Sequence, residues 1–140
     1  MIRFQLLIFT LLISVVVAVG QTRLEVTVTK IKEHKGSIRV GLFNNEKDFL
    51  KKAVTGKIVK ADADQVTIVF ENLKPGEYAI SVIHDENGNG ELDSNSFGIP
   101  KEGFGFGNNA MGMFGPPSFD KAKIILKDQN SSELIELKYF

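Results

Sequence analysis

The residues whose types and spacing could do chemistry are concentrated in one stretch, "HDENGNGELD", residues 84–93. Asp85, Asn87 and Asn89 occupy alternate positions, Gly90 follows at once, and Asp93 closes the run. A calcium loop needs oxygen ligands at alternating positions and a glycine for its sharp bend. On that pattern Asp85, Asn87 and Asn89 take the first, third and fifth ligand positions. Glu91 offers its backbone carbonyl at the seventh, and Asp93 falls at the ninth. The twelfth position is Ser96, where a helix–loop–helix site carries a bidentate glutamate, and no helix is expected on either flank. An EF-hand is therefore excluded. A Ca2+ loop flanked by strands is not, with the missing carboxylate supplied by Glu86, Glu102 or water. The competing reading is a plain turn. Asn-Gly occurs at 87–88 and again at 89–90, and it is the strongest short hairpin signal. Asx side chains also bond their own backbone in turns. One Asn-Gly would suffice for a hairpin, however, and acids at both Asp85 and Asp93 exceed what a turn needs.

No other group of residues reads as catalytic. His84 and Asp85 are adjacent, and hydrolases pair histidine with a carboxylate. Neighbours on a strand point to opposite faces and cannot easily bond each other. Ser94, Ser96 and Ser118 lack the surroundings of a nucleophile elbow. His34 and His84 are the only histidines and there is no cysteine, so zinc ligands are scarce and thiol chemistry is excluded. His84 continues the Tyr78-Ile80-Val82 phase, which predicts a partly buried, hydrogen-bonded ring. The expectation is a protein that is not an enzyme.

The elements that must position the run read as strands. Leu24, Val26 and Val28 alternate with Glu25, Thr27 and Thr29, the period-two signature of a half-buried strand. Ile38-Val40-Leu42, Val66-Ile68-Phe70 and Tyr78-Ile80-Val82 repeat it. Ala122-Ile124-Leu126 and Ile135-Leu137-Tyr139 follow, and residues 57–60 are a weaker candidate. The one helical candidate is "NNEKDFLKKA", with Phe49, Leu50 and Ala53 on one side and an asparagine as cap. In "LKPGEY", residues 73–78, Pro75 presets a tight turn, Gly76 can take the positive φ that follows, and Tyr78 re-enters a strand. That turn-plus-tyrosine resembles the corner of transthyretin-like and carboxypeptidase-regulatory-like sandwiches. The pattern predicts an all-β fold, an Ig-like or prealbumin-like seven-stranded two-sheet sandwich with one long Gly-rich loop.

That loop is residues 85–118, which hold eight of the thirteen glycines and three of the four prolines. Neither strand nor helix should persist through such a composition. It is no plain linker, because Phe97, Phe104, Phe106, Met111, Met113 and Phe114 punctuate it and disordered linkers are poor in aromatics. Those six either form an adaptable apolar face for a protein or glycan partner or fold back over an open sheet edge.

Charge and composition bound the remaining classes. Lys plus Arg equals Asp plus Glu at 17 each, and no basic stripe is present, which excludes nucleic acid as a partner. The first twenty residues carry Arg3, an apolar run from Phe4 to Val19, and Ala18-Val19-Gly20 at the end. This reads as a cleaved signal peptide, with one domain over 21–140 and no membrane span left after cleavage. The expected location is periplasmic or extracellular. Without cysteine the domain must rest on its apolar core, helped at most by a metal.

"HDENGNGELDSNSFGIPKEGFGFGNN" and "GPPSFDKA" together resemble a family of small exported bacterial proteins known as domain of unknown function 2141. The likeness runs from about Leu24 to the C-terminus. It implies an exported β-sandwich domain and supplies no activity, substrate or catalytic residue. The combined expectation is an exported, non-enzymatic β-sandwich module of the cell envelope that binds calcium through 85–93. The alternative is a metal-free module whose aromatic loop contacts a partner.

Overall fold

Alternation along the chain becomes two packed sheets in the computed structural model, which describes residues 22–140. The expected signal peptide, 1–20, lies outside the described residues. Strand β1 (Thr22–Thr29) is the centre of a three-stranded sheet. It pairs antiparallel with β4 (Val66–Leu73) and parallel with β8 (Ser131–Glu136). The second sheet is built on β5 (Gly76–Asp85). On one side β5 pairs with β2 (Ser37–Phe43), which in turn pairs with β3 (Thr55–Lys60). Along its other edge lie β7 (Lys123–Leu126), against residues 76–79, and β6 (Phe104–Phe106), against 81–83. The chain is an all-β two-sheet sandwich.

The core between the sheets is the apolar phase of each strand. Leu24, Val26 and Val28 from β1 meet Ile38, Val40 and Leu42 from β2, with Ile80 and Val82 from β5 and Ile135 from β8. Tyr78 closes this core at the turn, its hydroxyl donating to the Lys74 carbonyl at 2.7 Å. A second apolar cluster lies on the outer face of the larger sheet. Phe43 and Ala79, in the opposite phase of β2 and β5, meet Phe104, Phe106, Phe119 and Ala122 there. Covering both faces of one sheet shields more apolar surface from water than the sandwich alone could.

Three expectations about local structure are corrected. "NNEKDFLKKA" forms consecutive turns instead of a helix. The Asp48 N–H donates to Asn45 Oδ1 like a cap, but Leu50 takes φ 59° and ends any helical path. A helix this short has too few internal bonds to offset its nucleation cost. Phe49 is drawn off to the outer cluster, edge-on to Phe43 at 5.4 Å between ring centres. Next, Ala122 belongs not to a strand but to a one-turn helix, α1 (Phe119–Ala122), capped by the Ser118 hydroxyl. Last, the long segment contains a strand, β6, so the described residues form eight strands rather than seven. "GFGFG" alternates with period two, the phenylalanines facing outward and the glycines inward. A Cβ on Gly105 would stand 2.6 Å from Ile135 Cγ2, so glycine alone lets β6 approach the smaller sheet.

Candidate functional site

Strand β5 delivers His84 and Asp85 to the mouth of the loop on opposite faces, as alternation requires. His84 is in the inner phase and fully buried. Its Nε2 faces the Lys35 carbonyl at 2.9 Å, which can only accept, so Nε2 carries the hydrogen. Nδ1 then accepts the Tyr139 hydroxyl hydrogen at 2.9 Å. Both ring nitrogens are spent on structure.

Asp85, in the outer phase, is also fully buried, because the chain after it folds back over its carboxylate. Oδ1 accepts from the backbone N–H of Gly88 at 2.9 Å and of Asn89 at 3.1 Å, and Oδ2 from that of Gly90 at 2.9 Å. The Arg39 guanidinium, outward on neighbouring β2, lies 3.6 Å from Oδ2, and a Cβ on Gly90 would stand 3.7 Å from its nearest nitrogen. An ionised carboxylate offers about four lone-pair sites. Three are used by N–H groups, so Asp85 is first of all the anchor of the turn. Gly88 and Gly90 take φ of 75° and 84°, the left-handed backbone this wrapping demands.

Asn87 and Asn89 converge instead on Asp93. Asn87 Nδ2 is 2.5 Å from Asp93 Oδ2, and Asn89 Nδ2 is 2.9 and 3.1 Å from the two Asp93 oxygens. Asn87 Oδ1 accepts from Asn89 N–H and Asn89 Oδ1 from Glu91 N–H, each leaving a second lone pair. Glu91 is exposed at the rim. Of the five residues singled out by spacing, the side chains of Asn87, Asn89 and Asp93 are brought together, while the Asp85 carboxylate is taken up by backbone N–H groups and Glu91 joins only through its own N–H.

Glu102, considered from sequence only as a spare ligand, has a different part. Its buried carboxylate accepts from Glu86 N–H at 2.9 Å and from Asp93 N–H at 3.0 Å, stapling the two ends of the run. Glu86 itself pairs with Lys35 at 3.1 Å and, through that hydrogen bond, holds the ammonium above its ordinary range. Lys35, Glu86, Asn87, Asp93, Ser94, Lys101 and Glu102 line an open cleft beside the turn. Arg39 was missed in the sequence. Its only signal was its place in the outward phase of β2, which it shares with Gly41 and Phe43.

The structure divides the six residues considered for a partner. Phe104 and Phe106 are buried in the outer cluster, so they belong to the core and not to a contact surface. Phe97, Met113 and Phe114 are 87%, 90% and 100% exposed, and Met111 is exposed as well. Phe97 rides a small hairpin closed by the Ser94–Pro100 bridge and by Asn95, whose Oδ1 accepts from Phe97 and Ile99. Among the described residues no helix is long and apolar enough to cross a membrane. His, Asp and Glu side chains form no group of three or more suited to a metal among the described residues, so any cation here would lean on amide and backbone oxygens.

Residues 26–133 match a family described as "Uncharacterized protein conserved in bacteria (DUF2141)". No curated protein and no solved structure matches the chain.

Proposed function

The chain belongs to the DUF2141 family, and from that premise we propose that it is an exported, non-enzymatic β-sandwich module of the cell envelope that binds calcium through residues 85–93. The observation that carries this reading is the convergence of Asn87 and Asn89 on Asp93, their amide nitrogens 2.5–3.1 Å from its carboxylate, beside a turn already anchored by Asp85. A cation that takes oxygen ligands at 2.3–2.6 Å would replace the two amide donors on Asp93, each asparagine turning its oxygen toward the ion. Asp93 supplies the free carboxylate, the two asparagines their second lone pairs, and Glu91 its carbonyl or carboxylate. The non-catalytic part of the reading is supported by His84 and Asp85, both buried and both committed to structural bonds. Periplasmic or extracellular residence is supported by the Arg3–Gly20 sequence pattern.

With so few carboxylates the site is weak, with Kd around 10⁻⁴ M, in the range of extracellular modules. At ~1 mM free calcium such binding adds about 1.4 kcal/mol to the folded state. For a domain of this size that raises the melting temperature by roughly 4 °C. Calcium should also slow tryptic cleavage at the exposed Lys101, whose N–H is held by the Asp93 carbonyl at 2.8 Å. Asp93→Ala should erase both effects, and magnesium should reproduce them poorly because it demands a smaller octahedral shell. A melt and a digestion indifferent to calcium up to ~10 mM would reject the site. In that case the exposed Phe97, Met111, Met113 and Phe114 support the second reading, a metal-free module that contacts a protein or glycan partner.

A further inference from the structure

Asn87 precedes Gly88 and Asn89 precedes Gly90, the only two Asn-Gly pairs in the chain. Such a pair carries a reaction within itself. The glycine backbone nitrogen attacks the side-chain amide carbon of the preceding asparagine, an approach that no Cβ obstructs. The N–Cγ bond forms and the Cγ–Nδ2 bond breaks. The glycine amide proton departs with Nδ2 as ammonia. Water then opens the resulting succinimide at either carbonyl, giving an aspartyl residue or its isoaspartyl isomer. Water is the only co-reactant, and nothing is oxidised or reduced.

The folded loop holds every participant in both reactions. The two attacking nitrogens, those of Gly88 and Gly90, each donate to the Asp85 carboxylate at 2.9 Å. The two leaving amides, those of Asn87 and Asn89, each donate to Asp93. The two side-chain carbonyls accept from the N–H two residues on, at 3.1 and 3.0 Å. Ring closure requires each amide to swing its carbon over the glycine nitrogen, which breaks both of its bonds. Yet residues 87–90 are all exposed, so water is at hand as soon as the loop opens.

We propose that Asn87-Gly88 and Asn89-Gly90 form a latched deamidation site, in which Asp85 restrains the attacking nitrogens and Asp93 the leaving amides. Each conversion replaces an amide donor with a carboxylate facing Asp93. It therefore turns an attraction into a like-charge repulsion. An isoaspartyl product also adds a methylene to the backbone of the turn. The first conversion accordingly loosens the latch on the second, and the loop converts in an accelerating sequence. This chemistry needs no metal.

The test follows amide-to-acid mass change in the tryptic peptide 61–101 of the full chain at neutral pH, with and without denaturant. Lys74 is followed by Pro75 and is not cut, so one peptide carries both pairs. The folded chain should convert at least about tenfold more slowly than the denatured one, the factor set by a local opening cost of about 1.4 kcal/mol. Asp85→Ala, in a protein that keeps its cooperative melt, should bring the rate toward the denatured value. If that variant does not fold, Asp93→Ala frees the two amides instead and should give the same acceleration. Equal rates with and without denaturant, or folded variants as slow as the parent, would overturn the latch. Replacing both asparagines by glutamine should abolish the signal, and its persistence would overturn the site.

Discussion

Strand β5 is fixed at its two ends by the only two tyrosines in the chain, and the two attachments are built on opposite principles. At the first end Tyr78 lies on β5 itself. Its ring fills the inter-sheet core and its hydroxyl reaches a carbonyl four residues back. At the second end Tyr139 arrives from the C-terminal segment, 55 residues away, to donate to His84. Its oxygen accepts from Lys32 N–H at 3.2 Å, while the Lys35 carbonyl takes the other side of the ring. Asp85 and Glu102 then tie the loop beyond it with five N–H···O bonds. The first corner is apolar and local. The second is polar and assembled from four separate stretches of chain. The first end thus draws its stability from buried area, which is insensitive to charge, and the second from hydrogen bonds whose net worth is small unless one partner is lost.

The largest effect should come from the apolar corner. Tyr78→Ala should cost about 3–5 kcal/mol, the range for truncating a buried aromatic, read as a shift in denaturant midpoint at unchanged slope. A cost below ~1 kcal/mol, the level of a surface change, would erase the contrast between the two ends. Asp85→Ala should cost less, about 1–3 kcal/mol, because it orphans three N–H donors that lie near solvent. Hydrogen exchange should show the loss confined to the Gly88, Asn89 and Gly90 amides. Exchange spreading into β1 would mean that the loop supports the core. Tyr139→Phe should cost about 1–2 kcal/mol, the lower part of the range for orphaning a buried group, because it removes two hydrogen bonds and leaves the buried Nδ1 of His84 without a partner.

The same variant sharpens the comparison through pH. Burial pushes the Tyr139 phenol above its ordinary value of 10.0. A raised folded-state value means a contribution fully present below pH ~10 and lost as pH climbs through the folded value. The gap in stability between parent and Tyr139→Phe should therefore be constant at neutral pH and narrow above pH ~10. A gap that persists into alkali would show that the phenol is not held neutral by the fold.

Much of the sandwich was legible because alternation is a local signal. Leu24-Val26-Val28, Ile38-Val40-Leu42 and Tyr78-Ile80-Val82 each declare a buried face within six residues, and all lie in the core. The loop residues that share a cluster were legible for a similar reason, since Asx-Gly turn chemistry acts over two to five positions. "GFGFGNN" was misread as loop because its glycines mask a period-two strand whose inward face must be empty. "NNEKDFLKKA" reads as a helix because its capping and spacing suit one, while the packing of Phe49 on Phe43 and Phe119 outweighs a marginal local preference.

By itself the sequence determined the phase of each long strand, the sharp turn at Lys74–Gly76 and the gathering of oxygen-bearing side chains in residues 85–93. Each of these depends on bonds or burial patterns that close within a few residues. Only the tertiary structure decided that β1 pairs parallel with β8 and that Phe104 and Phe106 cover the outer face of the larger sheet. It alone set Arg39 beside Asp85, and made Glu102 a staple instead of a ligand. Those outcomes join residues 9 to more than 100 positions apart. Which distant partner a side chain meets is settled by how whole sheets pack, and no local pattern of residues encodes it.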